Sequence, residues 1–374
     1  MILEKIYNGL RRKRGGKQPD QRIKAVREIE AMAAKKAGTM FTAGMFVMLA
    51  AVIAVVWGAL FGVIAHADEP EERAKSKPGD VCAYDEPNAA PNSFHVPTQV
   101  YSKNGEFYLA DAYNQQVLHS RDCSSEPGGW SPVGINLFRP HAIASDGELF
   151  MAVDTDNDRV VTYARTEIGY EVVECFEHVG VRPHYVTYDA STRQFYVWSS
   201  MTGTMYIYKR SEGLNVTLRK TAYIAELDGH YTRSFTIDGS NIYFPSMGKN
   251  AIYVVNKRSF RTKAVYGVGA ELGGMVQIRH EQGYYYLVTS SDASYDQTKA
   301  TIVRSKTLSG FGDGSYEDVR NRFSELDGIP YYIEHLEDGH YYTPIIEGKT
   351  DPYICRFDIV NGEITNVVNY KYRE

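Results

Sequence analysis

"RPHAIASDGELFMAVDTDNDRVVTYAR", residues 139–165, is the stretch that decides the fold. An apolar run precedes Asp146-Gly147, a second run ends at Asp154, and a polar turn leads into a third run that starts at Arg159. Short runs rich in β-branched and aromatic residues, bounded by turn residues, read as strands. Outward from this stretch the layout returns with a turn residue as anchor, at Gly105, Gly147, Arg193, Gly239, Gly283 and Gly339, 42 to 56 residues apart. After the anchors come "EFYLAD", "ELFMAVD", "QFYVWSS", "NIYFPS", "YYYLVTSSD" and "HYYTPI", and a third run follows in every unit, as in "TMYIYKR" and "AIYVVNKR". A fourth is visible in "YEVVECFEH" and "EITNVVNYKY". Six units of four strands predict an all-β protein, a six-bladed β-propeller over residues 93–374, because a repeat of this length is one supersecondary unit that needs neighbours to bury its faces. The 29 Tyr and 15 Phe are then the packing between blades.

The chain ahead of the repeat has a different character. Residues 1–40 hold 11 Lys/Arg against 4 Asp/Glu, whereas the remainder of the 374-residue chain is acidic, so the body is not built for nucleic acid. Phe41–Ala67 contains no Asp, Glu, Lys or Arg and is long enough to cross a bilayer as a helix. The basic residues before it place the N-terminus in the cytoplasm and everything after residue 67 outside it, as a single-pass signal-anchor in the cell membrane. Ala65-His66-Ala67 also has the form of a signal-peptidase site, the competing reading. Within 1–40, Ile23, Val26, Ile29 and Met32 recur at helical spacing, so part of this leader is expected to be helical. Residues 68–92, rich in Pro and charge, read as a stalk.

The 139–165 stretch resembles an NHL-type propeller repeat, through Pro140, Asp146, Gly147, Asp154, Asn157 and Arg159. The likeness is partial in the first unit (Pro97, Gly105, Asp111, Asn114) and the third (Pro183, Asp189). It implies a propeller and a ligand site at the channel mouth. Both binding modules and enzymes are built this way, so function has to be argued from the site.

The innermost strand of each blade lines the channel, and counting back from the anchors aligns Gln99, His141, His184, Arg233 and Gln277, with Tyr332 as counterpart in the last unit. Convergent polar groups of this kind predict a pocket in which Arg233 and two imidazoles hold a carboxylate or phosphate. The competing expectation is a wet channel whose polar side chains satisfy backbone groups. A second function class is an enzyme, a metal-assisted lyase or hydrolase in which two ring histidines ligate zinc or one acts as base; the resemblance to peptidyl-hydroxyglycine lyases implies a third His ligand that this ring lacks. No cofactor is indicated by any motif. "DTDND" at 154–158 begins like a calcium loop, but Arg159 stands where such a loop needs Gly.

Four cysteines follow the apolar segment: Cys82, Cys123, Cys175 and Cys355. An even number outside the cytoplasm favours disulfides. Cys82 with Cys355 would staple the seam of the ring, and Cys82 with Cys123 would close the first blade on itself. Val319, Phe323 and Leu326 in "SYEDVRNRFSEL" have helical spacing and predict one helix on blade five or six.

Overall fold

The structure, a computed structural model, describes residues 91–323, 326–346 and 352–371. Six antiparallel sheets follow one another along the chain, each built from one continuous segment. Blade one is Pro97–Lys103, Glu106–Asp111, Gln116–Ser120 and Ser131–Pro132; blade two is Ile143–Ser145, Leu149–Asp154, Arg159–Arg165 and Tyr170–Phe176. Blade three is Pro183–Asp189, Gln194–Ser199, Thr202–Arg210 and Val216–Asp228; blade four is Thr236–Asp238, Asn241–Ser246, Ala251–Asn256 and Thr262–Gly267. Blade five is Met275–Glu281, Tyr284–Thr289, Thr301–Ser305 and Glu317–Asp318. Blade six has a split inner strand, Ile329–Pro330 and Glu334–His335, then Tyr341–Ile346, Tyr353–Val360 and Glu363–Lys371. This is the six-bladed propeller that the repeat predicts. The leader (1–40), the apolar segment (41–67) and the stalk up to residue 90 lie outside the described residues. Among the described residues no helix is long and apolar enough to cross a membrane.

All six anchors have positive φ, from 55° at Arg193 and Gly239 to 105° at Gly147. The hairpin between the first and second strands needs a left-handed residue, and glycine supplies it without steric cost in five of six blades. The buried aspartates that end the second strands of blades one and two are latches. Asp111 accepts the backbone N–H of His95 and Val96, the latter at 2.8 Å. Asp154 accepts the Phe138 N–H at 2.6 Å and pairs with Arg159 and Asn157. With Asp154 spent in this way, and Asp158 accepting the Arg182 N–H at 2.7 Å, the "DTDND" stretch is a turn between strands.

The helix expected over 315–326 is not present among its described residues, 315–323 and 326. Val319, Phe323 and Leu326 are buried as their spacing requires, but Glu317–Asp318 is taken as the fourth strand of blade five and Arg320–Arg322 is a single 3-10 turn. The segment is held by Arg320, which donates to the carbonyls of Ala300 and Leu326, so extended pairing and a guanidinium replace the helical hydrogen bonds.

Ring closure buries an apolar cluster. Phe94, Val100, Leu109, Leu118 and Trp130 from the blade-one side pack with Leu336, Tyr342 and Ile354 of blade six. Neither expected bridge is made: Cys123 and Cys355 are buried thiols, and among the described residues no two cysteines are joined. Cys123 lies inside the seam cluster and Cys355 in the main core, so both serve as small apolar residues, and burial pushes the Cys355 thiol up to about 12. Cys175 is buried on the outer strand of blade two, and Cys82 falls outside the described residues.

Two consequences can be measured. Arg193 is exposed and left-handed, so Arg193→Gly will leave stability unchanged or raise it by up to ~1 kcal/mol in urea unfolding, whereas Gly283→Val, at φ 82° in open space, will cost ~1–2 kcal/mol through the backbone alone. Cys123 and Cys355 will react with a thiol reagent only after unfolding.

Candidate functional site

The six residues that counting aligned occupy two adjacent layers of the channel. Strand register places His141, His184 and Arg233 in the upper layer, beside Thr98, Val276 and Tyr331. Gln99, Gln277 and Tyr332 sit one residue deeper with Ala142, Tyr185 and Ser234. The offset has a physical origin. Blade one turns in two residues between Lys103 and Glu106, blade two in four between Ser145 and Phe150, and the inner strands of blades one, three and five carry a register shift.

The deeper layer is saturated. Gln99 accepts the Ile143 N–H at 2.7 Å and donates to Glu334 Oε1 at 3.0 Å. Gln277 accepts the Ile333 N–H at 2.7 Å. Tyr185 donates to the same Glu334 oxygen at 2.6 Å, and Arg279 reaches Glu334 Oε2 at 3.3 Å. Glu334, Tyr185 and Arg279 were not among the residues that sequence counting selected. Together they plug the channel and tie blades one, three, five and six to one another.

The upper layer is different. His141 and His184 stack with centroids 3.9 Å apart and planes 13° from parallel. Both nitrogens of His184 are occupied, Nδ1 by the Tyr332 hydroxyl at 2.9 Å and Nε2 by the Tyr231 hydroxyl at 3.0 Å. His141 Nδ1 is buried with no hydrogen-bond partner, and so is Arg233 Nε. The rest of the Arg233 guanidinium donates to neutral acceptors, the Ser290 hydroxyl at 2.7 Å and the Gly274 and Met275 carbonyls at 3.4 Å. Burial opposes its charge most, and the groups that sustain it are tyrosines, with no carboxylate among them. Tyr231 lies between two cations, its ring centroid 5.4 Å from Arg233 and 5.9 Å from Arg182.

Arg139 and Arg182 complete the rim. Each precedes a proline and each has left-handed backbone, φ 58° and 56°, a conformation costing roughly 1–2 kcal/mol for a non-glycine residue. Asp156 holds both, its carboxylate oxygens 3.1 Å from Arg139 and 3.3 Å from Arg182. Strain of this kind collects at functional sites. Sequence counting missed these arginines, yet a signal for them was present: the tripeptide Arg-Pro-His occurs twice, at 139–141 and 182–184.

Burial, followed by the charges of Arg182, Arg233 and Arg139, holds the His141 imidazole well below the usual histidine range. His184 is held down in the same direction, first by burial and then by His141, Arg182 and Arg233. Two imidazolium charges at this separation would repel by roughly 4 kcal/mol at an effective dielectric of about 20, so the stack carries at most one proton. A metal bound by a histidine lies in the plane of its ring, and two nearly parallel planes 3.9 Å apart offer no shared coordination point. The geometry does not support the pair as joint zinc ligands. It suits an anion, which would meet Arg233, Arg182 and His141 from the open side.

A separate groove of about 320 Å³ lies on the outside between blades one and two, lined by Tyr108, Phe150, Arg165 and Leu214 among others. It includes none of the channel residues.

No protein-family model and no curated protein matches the chain. Solved structures do match in shape. Hydrazine synthase of Kuenenia stuttgartiensis is 13% identical, covering 75% of this chain and 80% of its own with a TM-score of 0.52. A protein from Lactobacillus plantarum is 15% identical over 73% of this chain and 80% of its own, with a TM-score of 0.46. A candidate 6-phosphogluconolactonase from Bacteroides uniformis is 15% identical over 75% and 82%, with a TM-score of 0.45. At these identities the likeness concerns the fold alone.

The histidine stack gives a pH dependence. Both folded-state pKa values lie below the unfolded value near 6.5, so stability is fully present above that pH and is lost as pH falls from it toward the depressed values, at ~1.4 kcal/mol per pH unit for each imidazole that stays neutral. Urea unfolding of the anion-free protein between pH 7.5 and 5 will show this loss, and His141→Gln will reduce it.

Proposed function

We propose that this chain is a membrane-anchored, extracytoplasmic propeller that binds an anionic group of its ligand or protein partner at the channel mouth. The observation that carries the reading is Arg233, a half-buried guanidinium whose Nε is buried without a hydrogen-bond partner and which, among the described residues, forms no ion pair with a carboxylate. A partly buried cation without a counter-charge is destabilising, and a bound carboxylate or phosphate relieves that cost while using a fork that lysine does not offer. Arg182, Arg139 and the unpartnered face of His141 extend the same positive field. Anchoring rests on the apolar run Phe41–Ala67 and the basic residues before it. For an oxidising compartment, the pair still available to a disulfide is Cys82 with Cys175, since the other two cysteines are thiols. The NHL-type kinship belongs to the same reading and rests on the Asp154, Asn157 and Arg159 latch of blade two.

Substitution at Arg233 tests the anion site through two opposite signs. Arg233→Met will stabilise the anion-free protein by ~1–3 kcal/mol, by removing the uncompensated charge, and will abolish thermal stabilisation by sulfate, phosphate or acetate. Arg233→Lys will keep the charge and lose most of the anion response. If Arg233→Met destabilises the protein and leaves anion stabilisation intact, the guanidinium is structural and the site is elsewhere.

A further inference from the structure

We propose that the anion is taken up together with one proton, which resides on His141. This rests on the anion-site reading above and adds to it a control by pH.

The groups that face His141 can be stated blade by blade. Its own blade contributes Arg139, blade three contributes Arg182 and the stacked His184, blade four contributes Arg233, and blade six contributes Tyr331, whose ring centroid is 6.2 Å away. Blades one and five contribute Thr98 and Val276, which do not titrate. Of the carboxylates at this rim, Asp156 is committed to Arg139 and Arg182, and Asp158 accepts the Arg182 N–H. In the empty mouth, therefore, three guanidinium charges oppose a fourth positive charge, and His141 is neutral.

An anion seated against Arg233 reverses that balance, because its charge favours a proton on the nearest base. Two imidazoles are present, but they are not equivalent. His184 has both nitrogens engaged by tyrosine hydroxyls, whereas His141 Nδ1 has no partner. The stack tolerates one charge, so uptake stops at one proton. By linkage, a ligand that raises the pKa of a site binds more tightly as pH falls, by up to tenfold per pH unit between the unbound and bound pKa values. The mouth then captures anions in acidic surroundings and releases them as pH rises. The arrangement also accounts for the paired Arg-Pro-His tripeptides: the first residue of each sets the field, and the third forms the stack that responds to it.

Sulfate is the probe of choice, because its charge is constant between pH 5 and 8.5 and any pH dependence belongs to the protein. Calorimetric titration of the purified full chain with sulfate, in two buffers of different ionisation heat, reads affinity and proton uptake together. The expected result is a Kd that falls as pH is lowered, by up to tenfold per unit, with uptake approaching one proton. His141→Gln removes the slope whatever affinity remains. In the unsubstituted chain the His141 ring signal in NMR titrates at higher pH once sulfate is added, a readout that does not depend on a variant folding. Sulfate binding with a flat pH profile and no proton uptake overturns this inference and leaves the anion site standing. A slope that persists in His141→Gln overturns His141 as the carrier. No sulfate binding at any pH overturns the anion site itself.

Discussion

The innermost strand of every blade pairs on one side only, and its other edge faces the channel. Backbone N–H and C=O groups left unpaired in a buried place cost ~1–3 kcal/mol each, so a propeller must satisfy six such edges without adding strands. This chain does it with side chains sent from one blade to the next. Thr98 donates to the His141 carbonyl at 2.9 Å, Ser234 to that of Val276 at 2.6 Å and Thr236 to that of Ile278 at 2.5 Å. Tyr101 both donates to and accepts from the backbone of Ser145, at 3.2 and 3.1 Å. Gln99 and Gln277 do the same work one layer down by accepting the N–H groups of Ile143 and Ile333. Much of the polarity of this channel is thus a requirement of closing the ring.

Against that background the upper layer is conspicuous for what its polar groups do not do. Arg233 Nε and His141 Nδ1 bond to no edge, and the Arg233 charge meets no carboxylate. Arg139 and Arg182 add left-handed backbone immediately before proline, where the following ring already restricts the conformation. At the mouth, left-handed backbone at Arg139 and Arg182 occurs together with unpartnered atoms of His141 and Arg233, while the layer beneath is saturated. Blade five places the apolar Val276 at the same level.

The architecture was open to sequence reading because its signal is local. Every anchor turn is left-handed as expected, and the second strands from Glu106 to Ile346 lie within a residue or three of the runs that marked them. The helix over 315–326 was misread because burial at helical spacing is also produced by a strand followed by a single turn, which position Val319 and Phe323 on the same core. The bridges expected at Cys123 and Cys355 do not form, because a cysteine count does not reveal which cysteines are buried as thiols in the seam and the core. For the site, counting aligned six residues in one ring, whereas strand register divides them between two layers, since counting from turns of unequal length imports the difference into the channel. The rim arginines and Tyr231 were invisible to counting because they precede the strands and reach the mouth by irregular backbone.

Direct contact across the ring also sets how a ligand can approach. His184 of blade three meets Tyr332 of blade six, and Tyr185 meets Glu334, so side chains of opposite blades meet across the channel at this level and floor the mouth. Residues 93–96 enter on the mouth face, because the first strand starts there and the N–H groups of His95 and Val96 are latched to Asp111 at the mouth end of the second strand. The floor follows from the packing of the deeper layer, and the face on which the chain enters follows from the order of the strands.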